Sequence, residues 1–310
     1  MKTKSRKIKS RKVLLLGAGD IGRRIIASIT PRFAVTAVTS QAANRSSLKR
    51  LGAKAISANL DRPHSLSRLP SDWQILIHCA PPPTRGTRDS RTRNLLRSAA
   101  LRGSKRDKIL TRVMIYLSTS GVYGDCGGAV VSEARALRPA NPRARRRVDA
   151  ERRLARDARR LGMHLIILRV PGIYAADSLP LARLKAGTPA IIAAEDSYTN
   201  HVHAADLAAL TVRAMQHALR RRPPLSRAYN ANDDSDIRMG DYFDLVAQAF
   251  GLPAPPRLPR AAIASAVSPM LFSFMRESRR LDNRRQKREL RLRFQFPTVA
   301  DGVAAIRSCA

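Results

Sequence analysis

The stretch LLLGAGDIGRR sets Gly17, Gly19 and Gly22 at GxGxxG spacing, directly after an apolar run and at the head of an amphipathic one. A strand, a tight turn and a helix in that order form a cradle for anions. The first glycine permits the turn, the second lets a diphosphate approach the backbone, and the third lets helix and strand pack closely. The first helical turn, at Asp20 and Ile21, adds free N–H donors and the positive end of the helix dipole. This is the chemistry of dinucleotide binding, against the plainer alternative of a glycine turn with no ligand.

The end of the second apolar run bears on which dinucleotide. It reads VTSQAANR, with Thr39, Ser40 and Gln41 followed by Arg45, and no Asp or Glu. A carboxylate at that place binds the ribose 2′-hydroxyl of NAD(H) and repels a 2′-phosphate. Hydroxyls and a guanidinium tolerate the phosphate, so NADP(H) is favoured and NAD(H) remains the alternative. Arg45 could equally be an ordinary surface residue. Asp61, in NLDRP, either accepts from an adenine amino group or caps the next turn.

Other reactive groups are sparser. NHVHAAD offers His201, His203 and Asp206, but no further ligand stands at a metal spacing. No metal site is expected. Cys79, Cys126 and Cys309 lie far apart with no CxxC, as reduced thiols of a cytoplasmic protein would.

These groups need a scaffold, and the hydrophobic pattern supplies one. Short apolar runs alternate with amphipathic stretches, the mark of a parallel sheet covered by helices. The expected strands are Val13–Leu16, Ala34–Thr39, Ala53–Ala58, Gln74–Cys79, Arg112–Ser118 and His164–Val170. Between the last two, Val148, Leu154, Ala158 and Leu161 share one helical face. Further helices are expected near Ala204–Leu219 and Met239–Phe250, with a short strand in AYNAND between them. AAIASAVSPMLFSFM, broken by Pro269, reads as a helix pair, with contact to a membrane surface as the lesser option. The last forty residues read as a basic helix and strand. The expected fold class is α/β, a Rossmann-type doubly wound parallel sheet. The division is a basic tail at 1–12, a dinucleotide-binding domain at 13–175, and a smaller substrate lobe at 176–310 interleaved with it.

The glycine turn, NLD, HCAPPP, STSGVYG, LRVPGIY, NHVHAADLA and YNANDD follow in this order along almost the whole chain. Together they resemble the extended short-chain dehydrogenase/reductases, the NAD-dependent epimerase/dehydratase group that acts largely on nucleotide sugars. The resemblance implies an oxidoreductase or epimerase working on a carbonyl or sugar-type substrate through a Ser/Thr–Tyr–Lys set. It also implies Ala80, Pro81 and Pro171 as cofactor contacts, with Arg169 and Gly172 beside the nicotinamide end, and Thr119 at the catalytic hydroxyl position.

Downstream the family pattern is YxxxK, followed four residues later by Glu. Glu151 fits the trailing acid, which sets Arg147 at the lysine position, near the nicotinamide ribose, and Arg143 at the tyrosine position. A lysine four residues from a tyrosine lowers the phenol's pKa for proton transfer. Arginine stays protonated far above physiological pH and cannot shuttle that proton. The chain therefore resembles the atypical members, which keep the cofactor fold and vary the catalytic set. Tyr123 and Tyr174 are the candidate stand-ins, or else pack against ligand or core. The alternative function is a non-catalytic NADP(H)-sensing or binding protein, RNA-associated through its charge.

That charge is extreme: 58 Lys and Arg against 23 Asp and Glu, a formal +35 on 310 residues. It favours polyanions such as nucleic acid, although the basic residues are spread end to end, as drift toward arginine on solvated faces would also leave them. The start, MKTKSRKIKSRK, has no apolar core of a signal peptide, and no uncharged run approaches the ~20 residues that span a bilayer. In extended family members two helices build a symmetric dimer. Here those segments, RDSRTRNLLRSAALRGSKRDK and PRARRRVDAERRLARDARR, would set arginine against arginine, so a homodimer is expected to be weakened.

Overall fold

The computed structural model describes residues 11–102 and 112–309. Most of the tail expected at 1–12, and the end of the first arginine-rich segment, lie outside them.

Seven strands form one parallel sheet: β1 (Lys12–Leu16), β2 (Ala34–Thr39), β3 (Lys54–Ser57), β4 (Ile75–His78), β5 (Val113–Thr119), β6 (His164–Val170) and β7 (Ser226–Asn230). Their spatial order is β7-β6-β5-β4-β1-β2-β3. Adjacent strands are joined in parallel register, for example Leu14 with Thr36 on one side and with Leu76 on the other. The order reverses between β1 and β4. In open α/β sheets that reversal opens a crevice at the carboxyl ends of the strands.

Alternation along β1 builds both layers of the core. Val13 and Leu15 face α1 (Asp20–Ile29) and α4 (Ala204–Leu219), where Ile25, Ile26, Leu207 and Ala214 are buried. Leu14 and Leu16 face the other way, toward α2 (Ser90–Arg97) and α3 (Pro142–Arg160) and their Leu95, Ala150 and Leu154. Both faces being covered explains why the strands read as continuous apolar runs. In α3, Asn141 caps the start by accepting from the Ala144 N–H, and Pro142 fits the first helical position.

Residues past 176 return to the sheet: β7 pairs with β6, and α4 packs beneath it. A separate apolar cluster gathers Tyr174, Leu184, Phe243, Val246 and Val303. The apolar pair is two helices, Arg260–Ala266 and Pro269–Met275. One expectation needs correcting at the C-terminus. The strand is only Arg280–Leu281, the basic helix is Arg284–Leu290, and the chain closes on a helix, Val299–Ser308. Thr298 and Asp301 form a capping box that starts it. Among the described residues no helix is long and apolar enough to cross a membrane.

Candidate active site

The glycine turn joins β1 to α1 at the crevice. Gly17 has φ +86°, and a Cβ there would stand 2.3 Å from the Ala80 backbone nitrogen. At Gly22 a Cβ would meet the Gly17 carbonyl oxygen at 2.4 Å. These two glycines are required by the protein itself. Gly19 differs: it is the N-cap of α1, in ordinary extended backbone, and a Cβ there would meet nothing within 4 Å. Its open side borders a cleft of about 330 Å³ lined by Gly17, Thr39, Ser40, Gln41, Asn44, Asp61, Ala80 and Pro81. Bare main chain at a helix N-terminus, with space before it, fits a dinucleotide diphosphate.

Asp61 lines this cleft and does not cap a turn. Both of its oxygens accept from Arg91, at 2.9 and 2.6 Å. That hydrogen bonding holds its carboxyl below the usual range. Arg91 also donates to the Pro81 carbonyl at 3.0 Å, so it ties the loop after β3 to the loop after β4. Three expected cofactor residues keep their side chains out of the cleft, although the main-chain N–H groups of Asp20 and Ile21 stand at the head of α1 as expected of a helix start. Asp20 turns away to pair with Arg24 at 2.9 Å, one helical turn on. Ile21 packs against the core beneath α1. Arg45 is exposed and is not among the lining residues. Arg23, not singled out from the sequence, donates to Asn44 Oδ1 at 3.0 Å and so supports the cleft wall.

A second cleft, of about 660 Å³, opens past Pro81 and brings together Thr119, Arg143, Arg147, Pro171 and Gly172. Arg147 donates to the Tyr116 hydroxyl at 3.0 Å and the Leu117 carbonyl at 2.9 Å, which anchors it on β5. The Arg143 guanidinium lies over the Phe274 ring at 4.3 Å. Desolvation first, and then the Arg147 charge, pull the Arg143 pKa below its ordinary value. Thr119 Oγ1 accepts from the Gly121 N–H at 3.3 Å.

Neither tyrosine stand-in lines this cleft. Tyr123 is 1% exposed; its hydroxyl donates to Asn230 Oδ1 at 2.7 Å and accepts from Arg169 at 2.9 Å. Burial pushes that phenol up to about 12. Tyr174 packs in the C-terminal cluster, with its hydroxyl donating to the Thr298 carbonyl. Arg169 is likewise internal: it pairs with Glu151 at 3.0 Å, and Ser118 donates to the same carboxylate at 2.5 Å. The acid that locates Arg143 and Arg147 in the sequence is thus a buried anchor between α3, β5 and β6.

Several lining residues carried no sequence signal strong enough to single them out: Arg146, Tyr198, Asn200, Glu277 and Arg279. They come from separate segments of the chain. Tyr198 is the sole tyrosine among the lining residues, its ring flanked by Arg238 and Arg280 at 5.4 and 5.0 Å.

His201 and His203, two positions apart on one strand, both pack against the Tyr174 ring, and their rings also meet Tyr242 and Phe296 at 4.2 and 4.1 Å between ring centres. Burial drives the His201 imidazole down to about 4. Asp206 accepts from the Gln295 and Phe296 N–H groups, at 2.7 and 2.9 Å, and moors the C-terminal segment to α4. Among the described residues no group of three or more His, Cys, Asp or Glu is arranged around a metal position.

The model of the NAD dependent epimerase/dehydratase family matches residues 13–231. Among solved structures, a functionally unknown conserved protein from Silicibacter pomeroyi is similar at 25% identity and TM-score 0.76, over 97% of this chain and 99% of that one. A UDP-glucuronic acid 4-epimerase from Bacillus cereus, in complex with NAD, is similar at 18% identity and TM-score 0.71, over 96% of each chain. A human epimerase family protein with NADPH is similar at 17% identity and TM-score 0.69, over 96% of this chain and 99% of that one. No curated protein matches the sequence.

Proposed function

The chain belongs to the NAD dependent epimerase/dehydratase family, and we propose that it binds NADP(H) along the crevice and uses it on a carbonyl or sugar-type substrate in the second cleft. The observation that carries this reading is the continuity of the site. Pro81 lines both clefts, so a dinucleotide held at Gly17 and Gly19 would reach toward Thr119 and Arg147.

The bound nicotinamide would supply or take up the hydride. The protein's own groups bind, orient and polarise. The main chain at Gly19 would hold the diphosphate. Ser40, Gln41 and Asn44, with Arg23 behind Asn44, leave the wall at the 2′-position free of carboxylates, which favours the phosphorylated coenzyme. Thr119 offers a hydroxyl to the substrate carbonyl or alcohol. Arg143 and Arg147 stabilise negative charge developing on that oxygen. Because a guanidinium does not release its proton, water or a group on the substrate protonates the alkoxide.

Loss of reduced-coenzyme absorbance across a panel of carbonyl compounds tests this. A turned-over compound should be lost about tenfold more slowly in Thr119→Val, the effect of one missing hydrogen bond of about 1–1.5 kcal/mol. The placement of Arg143 favours one second reading, a dinucleotide-binding sensor without turnover. Saturable NADPH binding with no consumption on any member of the panel would select it.

A further inference from the structure

The charged groups lining the second cleft are Arg143, Arg146, Arg147, Arg279 and Glu277. Glu277 is already engaged, by Arg279 at 2.8 Å and Asn141 at 3.1 Å. Among the described residues, neither Arg143, Arg146 nor Arg147 has a carboxylate at ion-pair distance; their partners are a ring, a backbone carbonyl, and a hydroxyl with a carbonyl.

Arg146 is the decisive member. It is 6% exposed, only its bond to the Gly86 carbonyl is made, and its Nε has no partner. A buried cation without a counter-charge is costly. Its position makes the cost larger. Arg143, Arg146 and Arg147 occupy the first turns of α3, at the positive end of the helix dipole, with no acidic residue in the first turn. The spacings of three and four set all three on one face. Mutual repulsion and the dipole disfavour this arrangement. Among the described residues the one carboxylate lining the cleft near the helix start, Glu277, faces four guanidinium groups and is already bonded to Arg279 and Asn141.

We propose that the ligand of this cleft presents an oxyanion, a carboxylate or phosphate group, to Arg146 and Arg143, distinct from the coenzyme diphosphate at the glycine turn. The proposal rests on the reading of this cleft as the substrate site and narrows its occupant to anionic small molecules. Oxygen anions match the guanidinium fork in a way that chloride does not.

The test is calorimetry and thermal unfolding of the full chain at constant ionic strength, with malonate, inorganic phosphate, chloride and glucose as probes. Malonate or phosphate should bind saturably and raise the melting temperature, while chloride and glucose should not. The tighter of the two distinguishes a carboxylate from a phosphate site. Arg146→Gln should weaken that binding by about tenfold or more, and Arg143→Gln by severalfold, in case the first variant unfolds. Arg145→Gln, which removes the same charge from an exposed neighbour outside the cleft, should leave it unchanged. Equal effects of malonate, phosphate and chloride would overturn the proposal, as would equal loss in the Arg145 and Arg146 variants. NADPH titration in parallel separates the two ideas: absent coenzyme binding with intact oxyanion binding defeats only the coenzyme reading, and the converse defeats only this one.

Discussion

Gly19→Val is expected to lower the affinity for NADP(H) by about 100-fold or more while leaving the melting temperature unchanged. The two halves of this expectation come from the same geometry. Gly19 has φ −76° and ψ −160°, a conformation open to any L-residue, and no atom of the protein within 4 Å of its would-be Cβ. A Cβ there therefore meets nothing in the folded chain, while valine's methyl groups would occupy the approach of the diphosphate to the bare amides. Gly17→Val is the contrasting control. With φ +86° and the Ala80 backbone 2.3 Å from the new Cβ, it should lose binding and stability together. Calorimetric titration beside a thermal melt reads both. A Gly19→Val protein that binds as tightly as the wild type would show that the diphosphate does not lie at this turn.

Glu151→Ala should cost about 3–5 kcal/mol of folding stability, the range for removing one partner of a buried ion pair. Glu151 and Arg169 have side chains only 5% and 8% exposed. Without the carboxylate, Arg169 keeps the Tyr123 hydroxyl and the Glu133 carbonyl but no counter-charge, and the buried Ser118 hydroxyl loses its acceptor. The Asp20–Arg24 pair is half exposed on its acidic side, and breaking it should cost no more than about 1 kcal/mol. Urea midpoints of Glu151→Ala and Asp20→Ala, measured together, check this. Equal midpoints would mean that Glu151 does not anchor α3 to the sheet.

The parts of the site written in contiguous residues are legible in the sequence. The glycine turn is a local strand–turn–helix signal, and β2 and β6 end where their apolar runs end. Long-range pairing is not legible in this way. Asp61 and its partner Arg91 stand 30 positions apart, and nothing in NLDRP announces that a guanidinium will take both carboxylate oxygens. Arg146 is hidden for another reason: inside PRARRR it looks like one more solvated charge, although its spacing from Arg143 marks a shared helix face. The closing helix departs from the expected strand despite a legible start, since Thr298 and Asp301 stand at capping-box spacing. Tyr123 illustrates a third limit. A VYG turn next to Thr119 does not tell which way its phenol points, and here it points into the protein.

The most direct test of coenzyme binding is calorimetric titration of the full chain with NADPH, NADP+, NADH and NAD+ in turn. One-to-one saturable binding is predicted, tighter for the two phosphorylated coenzymes than for the other two. Folded protein that takes up none of the four would contradict the proposed function at its base.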